Sequence, residues 1–150
     1  MLKQLMSFFT ADEKDTQSSD SIEVAACALL LELAMADEKI EEAELSKTRQ
    51  VMQELFSLSD QRLEEITNIA RQRRQESADL YSFTKLITEH YNAAQRRQFI
   101  FNMWQVAYAD NQLDRYEESL VRKVSELIYV PHSTFIQTKI EAEKQRVNSR

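Results

Sequence analysis

The sequence contains no glycine and a single proline, Pro131, in 150 residues. At the usual frequency of roughly 7%, about ten glycines would be expected in a chain of this length. Glycine supplies the positive backbone φ of tight hairpins and the close backbone approach of phosphate-binding loops. The chain therefore has no P-loop, no dinucleotide-binding fingerprint and no Gly-x-Ser-x-Gly nucleophile elbow, which excludes several large enzyme classes.

Cysteine and histidine are also scarce. Cys27 is the only cysteine and lies in an apolar run, which indicates a small core residue and, without an intramolecular disulfide, a reducing compartment. His90 and His132 have no second His or Cys at metal-ligand spacing. Because no residues suggest a nucleophile with its base, we expect a protein that is not an enzyme.

The formal net charge of −6 argues against a nucleic-acid partner, since phosphate neutralisation supplies most non-specific affinity there. Arginine clusters such as the one at residues 71–74 are expected to be solvated helix surface. No apolar run approaches the roughly 20 residues needed to cross a bilayer, and the first residues lack the pattern of a signal peptide. We therefore expect a cytoplasmic protein without membrane contact.

The composition divides the chain into a short N-terminal part and one domain. Residues 1–20 combine an amphipathic start, with Leu2, Leu5, Met6 and Phe9 at helical spacing, and a polar linker. Residues 21–150 have the size and apolar content of one globular domain. We expect a protein partner for this chain, and a homodimer formed through the amphipathic start is the alternative.

Helical periodicity runs through residues 21–150. The segments 22–36 and 94–109 are apolar almost all round, which is typical of central, buried helices. No alternating run is long enough for a strand, apart from the doubtful stretch 128–130. We predict an all-α fold, a single compact helical domain of about seven helices with an internal two-fold pseudo-repeat.

Polar residues mark several helix boundaries. Capping-box patterns, with a Glu or Gln three residues after the cap, begin at Asp20, Asn92 and Asp114. Pro131 is predicted to end one helix, and Ser133 is predicted to cap the last.

One segment of the sequence occurs twice. Residues 34–44, AMADEKIEEAE, recur as residues 107–117, AYADNQLDRYE. Four positions are identical, among them Asp37 with Asp110 and Glu44 with Glu117, and Glu41 is matched by Asp114. Each copy follows an apolar helix and opens an amphipathic one, as expected of a structural repeat.

The repeated carboxylates have two interpretations, and both stay open. Helix capping explains the Glu that closes each copy, because a third-position Glu bonds back to the cap. It does not explain the Asp that follows each apolar helix, since a carboxylate near a helix C-terminus opposes the helix dipole. A divalent cation such as Ca²⁺, Mg²⁺ or Mn²⁺ would compensate. Its candidate ligands are Asp37, Glu41, Glu44, Asp110, Asp114 and Glu117.

Two copies of Ala-x-Ala-Asp-x-x-[Ile/Leu]-[Glu/Asp]-x-x-Glu resemble the TerB-like family, named for tellurite resistance protein B, over roughly residues 22–140. The resemblance implies an all-helical domain, an association with cytoplasmic stress-response systems, and divalent-metal binding through acidic residues. That family usually has Gly after the Asp, whereas this chain has Glu38 and Asn111. Since Asn tolerates a left-handed conformation better than Glu, the resemblance favours an ion at the second copy.

Overall fold

Seven α-helices and no strand are found in residues 22–35, 42–76, 79–110 and 113–148, the part of the chain that the computed structural model describes. The predictions for residues 1–20, for the cap at Asp20, and for Asp37 and Glu41 lie outside these residues. In chain order the helices are α1 (22–34), α2 (Glu42–Phe56), α3 (Asp60–Glu76), α4 (Leu80–His90), α5 (Ala93–Ala107), α6 (Arg115–Leu127) and α7 (His132–Asn148). The predicted all-α fold is confirmed.

The two apolar helices are buried as their composition predicts. In α1, every side chain from Val24 to Leu31 is at most 7% exposed, and its one mid-helix charge, Glu32, forms an ion pair with Arg74. Helix α5 lies at the centre of the described fold, in contact with α2, α6 and most extensively α7. Its Trp104 is fully buried and lies against Phe135 of α7, with ring centroids 5.2 Å apart.

Helix starts follow the polar signals in the sequence. The Asn92 side chain accepts a hydrogen bond from the Gln95 N–H, and the Gln95 side chain accepts one from the Asn92 N–H, both at 2.9 Å. Asp79 caps α4 by accepting from the Tyr81 N–H at 2.9 Å. These bonds satisfy amide groups that have no partner inside the helix.

The boundary between α6 and α7 differs from the prediction. Helix α6 already ends at Leu127, where Tyr129 takes a φ of 62°, and the Val130 N–H donates to the Ser125 carbonyl at 2.9 Å. This is the pattern of a Schellman end, normally made by glycine. Pro131 begins the next helix instead of ending this one, because its carbonyl accepts from the Phe135 N–H. Ser133 therefore lies inside α7 and is not its cap.

None of the helices in the described ranges is both long and apolar enough to cross a membrane.

Candidate functional site

The acidic helix starts of α2 and α6 each place a glutamate in the interior. Glu44 is 2% exposed and Glu117 is 4% exposed, and each belongs to the first turn of its helix. Their neighbours explain the burial, since Leu45 on α2 and Val121 on α6 belong to the hydrophobic core. Carboxylates are rarely buried to this degree unless they are paired or bound to a cation.

Helix α6 begins with a complete capping box. Asp114 Oδ1 accepts from the Tyr116 N–H at 2.6 Å and from the Glu117 N–H at 3.0 Å. Glu117 Oε1 in turn accepts from the Asp114 N–H at 3.2 Å. The capping interpretation is thus confirmed for the second copy. The box engages one oxygen of each carboxylate.

The surroundings of Glu117 are unfavourable to its charge. Burial is the main cause that raises the pKa of Glu117, and the negative charges of Asp114 and Asp110 raise it further. A hydrogen bond with the Glu44 carboxyl and the backbone bond at Asp114 oppose that rise. No N–H group of the described residues donates to Glu117 Oε2, which is also buried. The capping box alone leaves this second oxygen in a poor environment.

The structure describes four of the six predicted ligands and places Glu44 beside Glu117. Glu44, Asp114 and Asp110 all influence the Glu117 carboxyl, while Asp37 and Glu41 lie outside the described residues. In the ranges that the structure describes, no group of three or more His, Cys, Asp or Glu side chains is close enough to hold a metal ion. The meeting of Glu44 with Glu117 joins the two copies of the repeat. The sequence showed that both residues recur but not that they touch.

Sequence reasoning missed a row of cations beside this region. Three basic side chains of α6 and α7 lie over aromatic rings: Arg122 over Phe135, Lys139 over Trp104 and Arg146 over Tyr108, at 5.3 to 5.7 Å from the ring centroids. Glu118, next to Glu117, lies 3.1 Å from the Lys139 ammonium. The sequence signal for this row is weak: Lys139 and Arg146 lie seven residues apart on α7, about two helical turns, and such a pair resembles ordinary helix surface.

The fold and the acidic helix starts define an all-helical module with two buried carboxyl groups in contact. The family model of tellurite resistance protein TerB matches residues 23–140, and the chain belongs to this family. No curated protein and no solved structure gives a significant match to the chain. Membership confirms the resemblance noted in the two sequence repeats. The two-fold pseudo-repeat in three dimensions stays a prediction.

Proposed function

We propose that this protein is a non-catalytic TerB-family module that binds a divalent cation at its acidic helix starts. The observation that carries the proposal is the burial of Glu117 against Glu44, with Asp110 and Asp114 close enough for their charges to act on it. Carboxylates gathered in this way repel one another and resist ionisation. A bound cation removes both costs.

The donor set fits a hard cation. Carboxylate oxygens are the preferred ligands of Ca²⁺ and Mg²⁺, and Mn²⁺ accepts the same set. Glu117, Asp114, Asp110 and Glu44 would hold the ion, with Asp37 and Glu41 as further ligands from the first copy. The capping box does not compete, because it engages one oxygen of Asp114 and one of Glu117. The cation would join α2 to α6 without supplying any chemical reaction.

Thermal unfolding after treatment with a chelating resin tests the proposal. Addition of Ca²⁺, Mg²⁺ or Mn²⁺ at a hundredfold excess over the dissociation constant should add about 2.7 kcal/mol, because the ion binds only the folded state. For a domain of this size the melting temperature should rise by roughly 5 to 10 °C.

Two matched substitutions assign the effect to the site. Asp110→Asn removes one proposed ligand without touching the capping box, and it should reduce the response to the ion. Asp79→Asn makes the same chemical change at the α4 cap, where Asn also caps well, and it should leave the response intact. If no ion moves the wild-type midpoint, the acidic turns serve only as helix caps.

That capping-only role is the second candidate function, and the complete box at Asp114 favours it. The protein would then be a purely structural or interaction domain without a metal. It predicts melting curves that superimpose with and without each ion. It also predicts that Asp110→Asn has no effect on them.

The proposal further includes a protein partner in a cytoplasmic, stress-related setting. The buried thiol of Cys27, with its pKa raised to about 11 mainly by burial, is consistent with a reducing compartment. Light scattering on the full chain and on a variant lacking residues 1–20 tests the homodimer alternative. The measured mass divided by the mass of one chain gives the number of chains per particle. If the truncation leaves this number unchanged, dimerisation through the amphipathic start is excluded.

A further inference from the structure

A cleft of about 500 Å³ is lined by residues of α2, α5 and α7. Its polar and charged walls include Lys47 and Gln50 from α2, Gln105 from α5, and Gln145 and Arg146 from α7. A volume of this size lies within the range of small-molecule sites, roughly 300–1,000 Å³.

The charge of the cleft is opposite to that of the chain. Lys47 and Arg146 line it and no acidic residue does, although acidic residues outnumber basic ones by 25 to 19 in the sequence. Acidic residues lie around the cleft and not on its walls: Glu54 accepts a hydrogen bond from the wall residue Gln50 at 3.2 Å, and the charge of Glu143 acts on the phenol of Tyr108. The cleft is thus a locally basic, concave surface on an acidic protein.

Lys47 is the most informative side chain of this cleft. It is half-buried, and its ammonium lies 3.5 Å from the Gln50 Oε1. Within the described residues no carboxylate forms an ion pair with Lys47. A cation that is partly withdrawn from water and faces a cavity favours an anion there.

Arg146 is held on the opposite helix. Its guanidinium lies 5.3 Å from the centroid of the Tyr108 ring, which orients the planar group at the wall of the cleft. The Gln105 amide donates to the Gln145 Oε1 at 2.7 Å and joins α5 to α7 beside it. Since α2 and α7 both pack on α5, the helices that carry the two basic groups are fixed through α5, which lowers the entropic cost of binding a ligand.

A larger cleft elsewhere has no such preference. It has a volume of about 840 Å³ and is lined by two basic residues, Arg74 and Lys123, and two acidic ones, Glu32 and Asp79. Arg74 already pairs with Glu32. We therefore favour the smaller, uniformly basic cleft as a ligand site.

We propose that the cleft between α2 and α7 binds an anionic oxygen group, a phosphate or a carboxylate, of a small molecule. Lys47 and Arg146 supply the charge, and the glutamine amides supply neutral donors. One end is lined by Ala43 and Ala109, which directly precede Glu44 and Asp110 in the chain. The anion site is thus adjacent to the acidic helix starts and does not require a cation there.

Nuclear magnetic resonance titration of the full chain, freed of metal ions by a chelating resin, tests this inference. Inorganic phosphate and citrate are added in separate arms at constant ionic strength, with sodium chloride as the reference. We expect saturable shifts of the Ala43 and Ala109 amide signals. A response to phosphate alone identifies a phosphate ligand, and a response to citrate alone identifies a carboxylate.

Substitutions assign the binding to the cleft. Lys47→Gln should weaken it about tenfold, the loss expected for one charge-assisted hydrogen bond. Lys85→Gln makes the same change on the exposed face of α4 and should leave affinity unchanged. Arg146→Gln is the second test, with its fold checked by circular dichroism. Shifts that do not saturate, or that persist unchanged in Lys47→Gln, would overturn the inference. Because no metal is present, a failed cation experiment does not affect this result.

Discussion

Helices α2 and α6 follow the two copies of the repeat, and they share both a start and an end. Each buries a first-turn glutamate, Glu44 or Glu117, and each is followed by a non-glycine residue at positive φ, Ser57 at 52° or Tyr129 at 62°. The sequences before them differ: α6 has a complete capping box at Asp114, whereas the first copy has Glu41, a residue type that caps poorly, at the matching position. We therefore expect the two caps to differ in how much they stabilise the protein.

The largest expected effect separates the two caps. Asp114→Ala removes the acceptor of two backbone N–H groups and should lower the free energy of unfolding by about 1–2 kcal/mol. Glu41→Ala, at the matching position of the first copy, should cost less than half as much. Urea denaturation of metal-free protein measures both. Asn92→Ala removes the cap of the complete capping box of α5, and its loss of stability is the reference for removing a complete cap. Equal losses at Asp114 and Glu41 would mean that the two starts are capped equally well.

A second, smaller effect concerns the buried carboxyl pair. Glu117→Gln keeps the acceptor that the capping box needs but removes the ionisable group, and it should stabilise the metal-free protein at neutral pH by about 1 kcal/mol. Glu44→Gln should stabilise the protein less, because the Glu44 carboxyl forms a hydrogen bond that lowers the pKa of Glu117. The effects of the two substitutions should not add, since the two side chains are in contact.

The pH dependence follows from the direction of the pKa shift. The folded protein raises the pKa of Glu117 above its ordinary value of 4.5, so the native state holds this proton more tightly than the unfolded state. The contribution of Glu117 to stability is complete below pH 4.5 and is lost as the pH rises through the folded pKa. The advantage of Glu117→Gln should therefore vanish near pH 4 and grow with pH. An advantage that is constant with pH would contradict this account.

The smallest effect compares the two helix ends. A left-handed conformation costs a non-glycine residue roughly 1–2 kcal/mol. Glycine avoids this cost, but it loses more conformational entropy on folding, which cancels part of the gain. Tyr129→Gly should therefore raise the free energy of unfolding by about 0.5–1 kcal/mol. Ser57→Gly should raise it by less, because Ser is smaller. Chemical denaturation of the two variants and the wild type at one pH measures these changes in the free energy of unfolding. A loss of stability at Tyr129 would show that its side chain contributes more than its backbone strain costs.

Much of the fold was predictable because its signals are local. The start of α5 is set by a bond between Asn92 and Gln95, three residues apart, and the start of α6 by a similar bond at Asp114. The burial of Cys27 followed from the apolar run around it. The error at Pro131 and Ser133 has a local cause too: without glycine, Tyr129 ended the helix, and no sequence rule favours Tyr in that role.

The sequence by itself determined that the chain is helical, where several helices begin, and that two acidic segments recur, because these depend on residues within one or two turns of each other. Only the tertiary structure decided that Glu44 meets Glu117 and that Lys47 and Arg146 line one cleft. These pairs are far apart in the chain, and the packing of α2, α6 and α7 around α5 sets their proximity. Such packing depends on the fit of many side chains at once, which no single motif encodes.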